Sequence, residues 1–186
     1  MKRMLLLFLL CFTLLSSYAQ VAYYKTEWTL KDKHDLFTGI LRFDTDRQNI
    51  VSGEIIWQYF AVDSSDEEMV DLYKGKKGMV GIEFVEGNYF AATHDLEFSG
   101  ESKDDPSEII GMDKYSLKLS QDKQVLYGST FTNCTNQGLF YGTRLSKAEG
   151  EKQYRTLKAR MKKGNSSNLQ NQKVAISNQI LFSGSM

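Results

Sequence analysis

The chain has 186 residues, of which 41% are hydrophobic, 25% charged and 12% aromatic. This composition is typical of one globular domain and excludes a chain that is disordered throughout. The 14 glycines and single proline exclude collagen-like and proline-rich sequences, and the balance of 23 Lys and Arg against 23 Asp and Glu argues against a dedicated nucleic-acid-binding protein.

Residues 1–19 have the order of a secretory signal peptide. Lys2 and Arg3 precede an apolar run that ends at Leu15, and small residues at Ser17 and Ala19 mark a cleavage site before the next residue. The apolar run is about a dozen residues long, whereas a membrane-spanning helix needs roughly 20. We therefore expect an exported protein, in the periplasm, in the cell envelope or outside the cell, with no membrane span after signal removal.

Cleavage would leave Cys134 as the only cysteine, beside two histidines. An internal disulfide is then impossible, and a zinc site of clustered Cys and His is excluded by count. Cys134 would be either buried or available for an intermolecular bridge. We predict no metal site and no cofactor.

The sequence of residues 20–145 predicts an all-β domain, because apolar residues recur at every second position from Tyr24 to Leu145. The connections are mostly short and polar, and short turns join antiparallel neighbours. The pattern predicts about eight antiparallel strands in an up-and-down barrel or a curved sheet. Closure is favoured because it leaves no unpaired strand edge.

The predicted stripes determine which side chains face the interior. One stripe joins Val80, Ile82 and Phe84, and the next runs from Phe90 through His94 to Phe98 after a turn at Glu86-Gly87-Asn88. A long connection is expected from Gly100 to Gly111. In the last strand, Leu139, Tyr141 and Leu145 share a face. The aromatic residues expected to point inward are Trp28, Phe37, Phe43, Trp57, Tyr59, Phe84, Phe90, Phe98, Tyr115 and Tyr141.

Residues 146–163 break the period-two pattern and predict a basic amphipathic helix. Ser146 and Glu149 match a capping box, and Tyr154, Leu157 and Met161 fall on one helical face. Residues 164–186 are predicted to be a polar, flexible tail. The segment from Gln20 to Leu145 has 13 basic and 21 acidic residues, whereas the remainder has 8 and 2, so the two parts should attract each other.

An eight-stranded barrel is wide enough either to be filled by side chains or to hold one small ligand. Among the aromatic residues expected inside, several carry a polar group that could orient a small apolar or amphipathic ligand. The candidate ligand-binding residues are Trp28, Trp57, Tyr59, His94, Tyr115 and Tyr141.

With these strands in place, the stretch from Tyr24 to Leu145 resembles the calycin type of architecture, that of the lipocalin and avidin-like barrels. It also resembles small exported β-rich proteins of Gram-negative bacteria that have no assigned activity. The lipocalin signature has Gly two residues before the first-strand Trp, where this chain has Thr26 before Trp28. The resemblance therefore implies a fold and no particular binding residue.

The chain lacks the Gly-x-Ser-x-Gly, Walker-type, His-Glu-x-x-His and Gly-x-Gly-x-x-Gly motifs, so no catalytic residue is predicted. The first hypothesis is a non-enzymatic envelope or extracellular interaction protein. The alternative is a barrel that binds a small hydrophobic ligand. A remote alternative is a hydrolase that uses carboxylates scattered over several strands. A protein partner or a small apolar ligand is expected, and no nucleic acid.

Overall fold

The computed structural model describes residues 21–30, 36–61, 67–132 and 136–164. The predicted signal peptide, His34, Cys134 and the predicted tail beyond Gly164 lie outside the described residues. A short helix, α1 (Glu67–Leu72), precedes the fourth strand, and a long helix, α2 (147–164), follows the last. The strands are β1 (Ala22–Leu30), β2 (Leu36–Thr45), β3 (Ile50–Ala61), β4 (Val80–Phe90), β5 (Asp95–Asp104), β6 (Lys114–Leu119), β7 (Val125–Thr132) and β8 (Asn136–Arg144).

The eight strands form a closed antiparallel barrel in sequential order, and β8 pairs with β1 to complete it. Trp28 of β1, for example, is opposite Phe37 of β2 on one side and Phe140 of β8 on the other. This confirms the predicted all-β fold and, of the two forms considered, the closed up-and-down barrel. Among the described residues, no helix is both long and apolar enough to cross a membrane.

The barrel interior is filled by the predicted stripes of β1, β2, β3 and β6. Trp57 and Tyr59 of β3 and Tyr115 of β6 are buried in one apolar cluster, and Trp28 is partly buried against it. Because side chains alternate across a strand, the intervening residues of these strands face outward.

Two predicted stripes face the wrong way. On β4 the inward residues include Glu83 and Val85, whereas Val80 and Ile82 belong to a second cluster on the outside of the barrel and Phe84 is exposed. The alternation of residues cannot show which face of β4 points into the barrel, because both of its faces carry apolar residues.

The prediction that Tyr141 points inward is also wrong. In β8, Phe140 is buried in the core and Tyr141 is exposed. Gly138 is the inward residue of β8 before Phe140. Only a glycine fits there, since a Cβ atom on Gly138 would lie 2.5 Å from Thr130 Oγ1 and would overlap the Trp28 indole. Gly138 and Phe140 therefore occupy the inner face of β8, and Leu139 and Tyr141 lie on its outer face.

The hairpin between β4 and β5 lies later than predicted. β4 continues through Gly87, where a Cβ atom would collide with the backbone of β5, and the turn comprises residues 91–94. His94 ends this turn with φ 58°, and Phe90 is exposed at the end of β4. β5 then extends to Asp104, so the connection expected from Gly100 begins later.

Helix α2 packs on the outer wall of the barrel, as its amphipathic sequence predicts. Ser146 Oγ accepts the Glu149 N–H at 3.3 Å, which caps the first turn. Met161 is buried, and Tyr154 and Leu157 pack beside it, against a cluster formed by three outward residues of β3 and β4. These three residues are Ile56, Val80 and Ile82.

A polar contact completes this interface and joins the acidic barrel to the basic helix. Lys158 Nζ donates to Tyr154 Oη at 2.7 Å, and Tyr154 donates to Glu54 of β3. Arg42 and Lys158 each lie 3.5 Å from the Glu54 carboxylate. The hydrogen bond with Tyr154 raises the pKa of Lys158, and the neighbouring Glu54 charge acts in the same direction.

Candidate functional site

Four of the six side chains proposed to contact a ligand lie inside the barrel, but their neighbours differ. Trp28 donates its indole N–H to Thr130 Oγ1 at 2.6 Å. Tyr59 stacks on Tyr73 with ring centroids 4.7 Å apart. Trp57 and Tyr115, in contrast, meet at one polar group.

That group is Glu83 of β4, which is 1% exposed. Its Oε2 accepts the Trp57 indole N–H at 3.1 Å and the Tyr115 hydroxyl at 2.5 Å. Its Oε1 accepts the backbone N–H of Asp113 at 3.0 Å. A Cβ atom on Gly100 would overlap Oε1, so this glycine gives the carboxylate room within the wall.

Burial determines the ionisation of this cluster. Burial raises the pKa of Glu83 from 4.5 to about 7, although the three hydrogen-bond donors act in the opposite direction. Burial and the neighbouring Glu83 charge raise the pKa of Tyr115 well above its ordinary value. Glu83 can therefore exchange a proton near neutral pH.

Sequence reasoning missed Glu83 because the stripe of Val80, Ile82 and Phe84 placed it on the outer face. A signal was nevertheless present. Trp57 and Tyr115 were both expected inside, and buried indole and phenol groups require hydrogen-bond partners. A charged residue between apolar neighbours on a strand was a candidate for that partner.

The interior rings contact one another around this carboxylate. Phe140 lies edge-on to both Trp57 and Tyr115, with centroids 6.0 and 5.8 Å apart. Tyr115 stacks on Phe98 at 4.5 Å. These contacts are typical of a filled core rather than a ligand cavity.

The end of the barrel that carries the long connections is covered by contacts between them. Tyr73, from the connection after α1, donates its hydroxyl to the carbonyl of Ile109, which follows β5, at 3.1 Å. Ile109 is buried, and Tyr73 lies edge-on to Phe37 with centroids 5.7 Å apart. The side chains of Tyr73 and Ile109 thus occupy part of this end of the barrel.

His94 and Tyr141 lie apart from the interior residues. Contrary to the sequence-based assignment, His94 is in a turn and not within a strand, and its Nδ1 is 3.1 Å from the hydroxyl of Tyr89. Tyr141 lies on the outer wall opposite Tyr127 of β7. The structure therefore does not bring the six residues to one place.

A cleft of about 270 Å³ lies instead on the outside of the barrel, between α2 and the first three strands. Its floor includes Ile40 of β2, which is buried, and Leu157 of α2, which is half-buried. Three cationic side chains line it: Lys25, Lys152 and Arg160. The remaining lining residues are Thr38, Gly39, Gln58, Gln153 and Thr156.

The charge of this cleft is one-sided. None of its ten lining residues is acidic, and among the described residues Lys25, Lys152 and Arg160 take part in none of the ion pairs. Glu27 lies nearby as the cross-strand neighbour of Thr38. The cleft therefore combines a partly apolar floor with cationic and neutral hydrogen-bonding groups.

Comparison with protein-family models, curated proteins and solved structures finds no match for this chain. The closed eight-stranded barrel is consistent with a calycin-like architecture, without assignment to a particular family. Within the described ranges, no group of three or more His, Cys, Asp or Glu side chains is arranged to hold a metal ion.

Proposed function

We propose that this chain is an exported, non-catalytic binding protein that takes a small amphipathic anion, such as a short-chain carboxylate, in the cleft between α2 and the barrel wall. The observation that carries the proposal is the lining of that cleft. Three cations and no acid surround a floor that includes Ile40 and Leu157. Export is inferred from the signal-like residues 1–19.

The lining matches the two parts of such a ligand. Lys25 and Lys152 come from opposite walls of the cleft, one from β1 and one from α2, so both can approach a carboxylate group. Arg160 offers a planar donor pair that suits two carboxylate oxygens. Ile40 and Leu157 supply apolar contact for a short chain, and the volume lies just below the range of roughly 300 to 1,000 Å³ that is usual for ligand pockets.

This location differs from the interior site that the aromatic residues suggested. The interior rings contact one another, and Glu83 already receives three hydrogen bonds from Trp57, Tyr115 and Asp113. The same enclosure argues against a hydrolytic role for Glu83, because a substrate would have to displace these contacts.

The proposal is tested by calorimetric titration with hexanoate and with hexanamide, its neutral counterpart. We expect hexanoate to bind more tightly, with an affinity that falls as salt is added. Lys152→Glu should weaken binding about fivefold or more, since it replaces an attraction of up to about 1 kcal/mol with a repulsion.

Lys147→Glu is the matched control, because it makes the same charge change on the same helix outside the cleft. It should leave hexanoate affinity nearly unchanged. The proposal would be refuted by equal affinity for hexanoate and hexanamide, or by no hexanoate binding. It would also be refuted by an equal loss of hexanoate affinity in Lys152→Glu and Lys147→Glu.

A further inference from the structure

The helical wall of the cleft between α2 and the barrel carries a cation near each of its ends. Lys152 and Arg160 both line the cleft. They are eight positions apart on α2, which corresponds to about 12 Å along the helix axis. The lining residues between them are Gln153, Thr156 and Leu157. This wall therefore has two charged ends and an uncharged middle.

The strand wall of the cleft has a similar length. Lys25 of β1 is opposite Ile40 of β2. Thr38, two residues before Ile40, is opposite Gln58 of β3. Neighbouring strands are about 4.8 Å apart and each residue adds about 3.4 Å along a strand, so the backbone positions of Lys25 and Gln58 are about 12 Å apart. These two lining residues mark opposite ends of the cleft.

The packing of α2 determines which ends of the two walls coincide. Near the start of α2, Gly150 lies against Tyr23 of β1, because a Cβ atom on this glycine would overlap the tyrosine side chain. Towards its end, α2 packs on outward residues of β3 and β4. The helix thus crosses the wall from β1 towards β4. The β1 end of the cleft therefore has Lys25 and Lys152, and the β3 end has Arg160.

The cation at the β3 end limits which ligand can fill the whole cleft. A monocarboxylate bound at the two lysines would direct the end of its apolar chain towards Arg160, which takes part in none of the ion pairs among the described residues. Covering a charged group with an apolar one costs free energy. A second carboxylate at this position would instead pair with the guanidinium.

We infer that the anion bound in this cleft is a linear dicarboxylate, with one carboxylate at each end of an apolar chain. One carboxylate lies between Lys25 and Lys152, and the other accepts hydrogen bonds from Arg160. The chain contacts Ile40 and Leu157. Because lysine and arginine side chains are long, the two carboxylates are closer together than the backbone positions of the cations, as in octanedioate. This inference rests on the proposed function, to which it adds the second anionic group of the ligand.

The test compares octanedioate with octanoate, which has the same chain length and one carboxylate, by calorimetric titration of the full-length protein at low salt. Octanedioate should bind about tenfold more tightly, because its second carboxylate forms charge-assisted hydrogen bonds. Arg160→Gln should remove most of this difference, since it should weaken octanedioate binding about tenfold and octanoate binding less than about twofold. Arg155→Gln makes the same substitution on α2 outside the cleft and should leave both affinities nearly unchanged.

Two results would overturn the inference. One is an affinity for octanedioate no higher than that for octanoate, and the other is a ratio of the two affinities that Arg160→Gln leaves unchanged. If hexanoate still binds in either case and Lys152→Glu weakens that binding, the proposed function stands without the dicarboxylate. A protein that binds none of the three anions would overturn both.

Discussion

The buried Glu83 carboxylate predicts a stability that decreases as the pH rises towards neutrality. The unfolded chain loses this proton near pH 4.5, whereas the folded chain keeps it until about pH 7. Between these values the folded state binds more protons, so the free energy of unfolding falls as the pH rises and levels off above about pH 7. The difference between the two pKa values corresponds to about 3 kcal/mol.

Glu83→Gln isolates this contribution from the other titrating groups. Glutamine stays neutral, although it loses one hydrogen bond because its amide N–H group would face either the Trp57 or the Asp113 N–H donor. Urea unfolding followed by tryptophan fluorescence, at steps from pH 4.5 to 8, gives the free energy of both proteins. The unfolding free energy of the wild type minus that of the variant should fall by about 3 kcal/mol between pH 4.5 and 7.

Tyr115→Phe extends the test. It removes the hydroxyl that lowers the pKa of Glu83, so the decrease in stability should continue to higher pH. Tyr127→Phe on the outer wall is its control and should leave the pH profile unchanged. A difference in unfolding free energy between wild type and Glu83→Gln that is independent of pH, or that increases with pH, would contradict a raised pKa of Glu83 in the folded protein.

Two further predictions concern packing. Met161→Ala should lower the free energy of unfolding by about 2 kcal/mol, because Met161 is buried between α2 and the barrel. Arg155→Ala, at an exposed position of the same helix, should change it by less than about 0.5 kcal/mol. Equal effects in denaturant titrations would contradict the docking of α2. Gly138→Ala should cost about 2 kcal/mol or more through its overlap with Thr130 Oγ1. Gly142→Ala, whose Cβ atom would have neighbours no closer than 3.4 Å, should cost much less, and a thermal melt that ranks the two in the opposite order would refute the packing of β8.

The strand pattern and the helix were accessible from sequence because both depend on local periodicity. Trp57 and Tyr59 alternate with outward residues, and short turns such as the one after Ser120 restrict neighbours to antiparallel pairing. Ser146 and Glu149 identify the helix start through the chemistry of its first turn. These features require no knowledge of distant contacts.

The orientation of β4 and the position of the β4–β5 turn were not accessible in this way. Val80 and Ile82 face outward because α2, far away in sequence, covers them. The turn at residues 91–94 consists of Ala, Thr and His, whereas Glu86-Gly87-Asn88 has the composition that favours turns. Gly87 is small because β5 passes close to it, which no local pattern reveals.

The candidate site was likewise only partly accessible from the sequence. Aromatic content correctly predicted a ring-lined interior, but the cleft exists only once α2 has docked beside β1, β2 and β3. Lys25 and Lys152 are far apart in the sequence, and nothing local indicates that they line one cleft. Glu83 likewise became recognisable only when its bonds to Trp57 and Tyr115 were known.

The most direct test of the anion cleft is a map of backbone amide shifts in a two-dimensional ¹H–¹⁵N spectrum during titration with hexanoate. We expect the largest shifts at lining residues on both walls, including Thr38 and Gly39 of β2 and Thr156 of α2. Residues around Glu83 inside the barrel should shift little. Largest shifts at Glu83 and Tyr115, or no shifts at high hexanoate concentration, would contradict binding in the cleft.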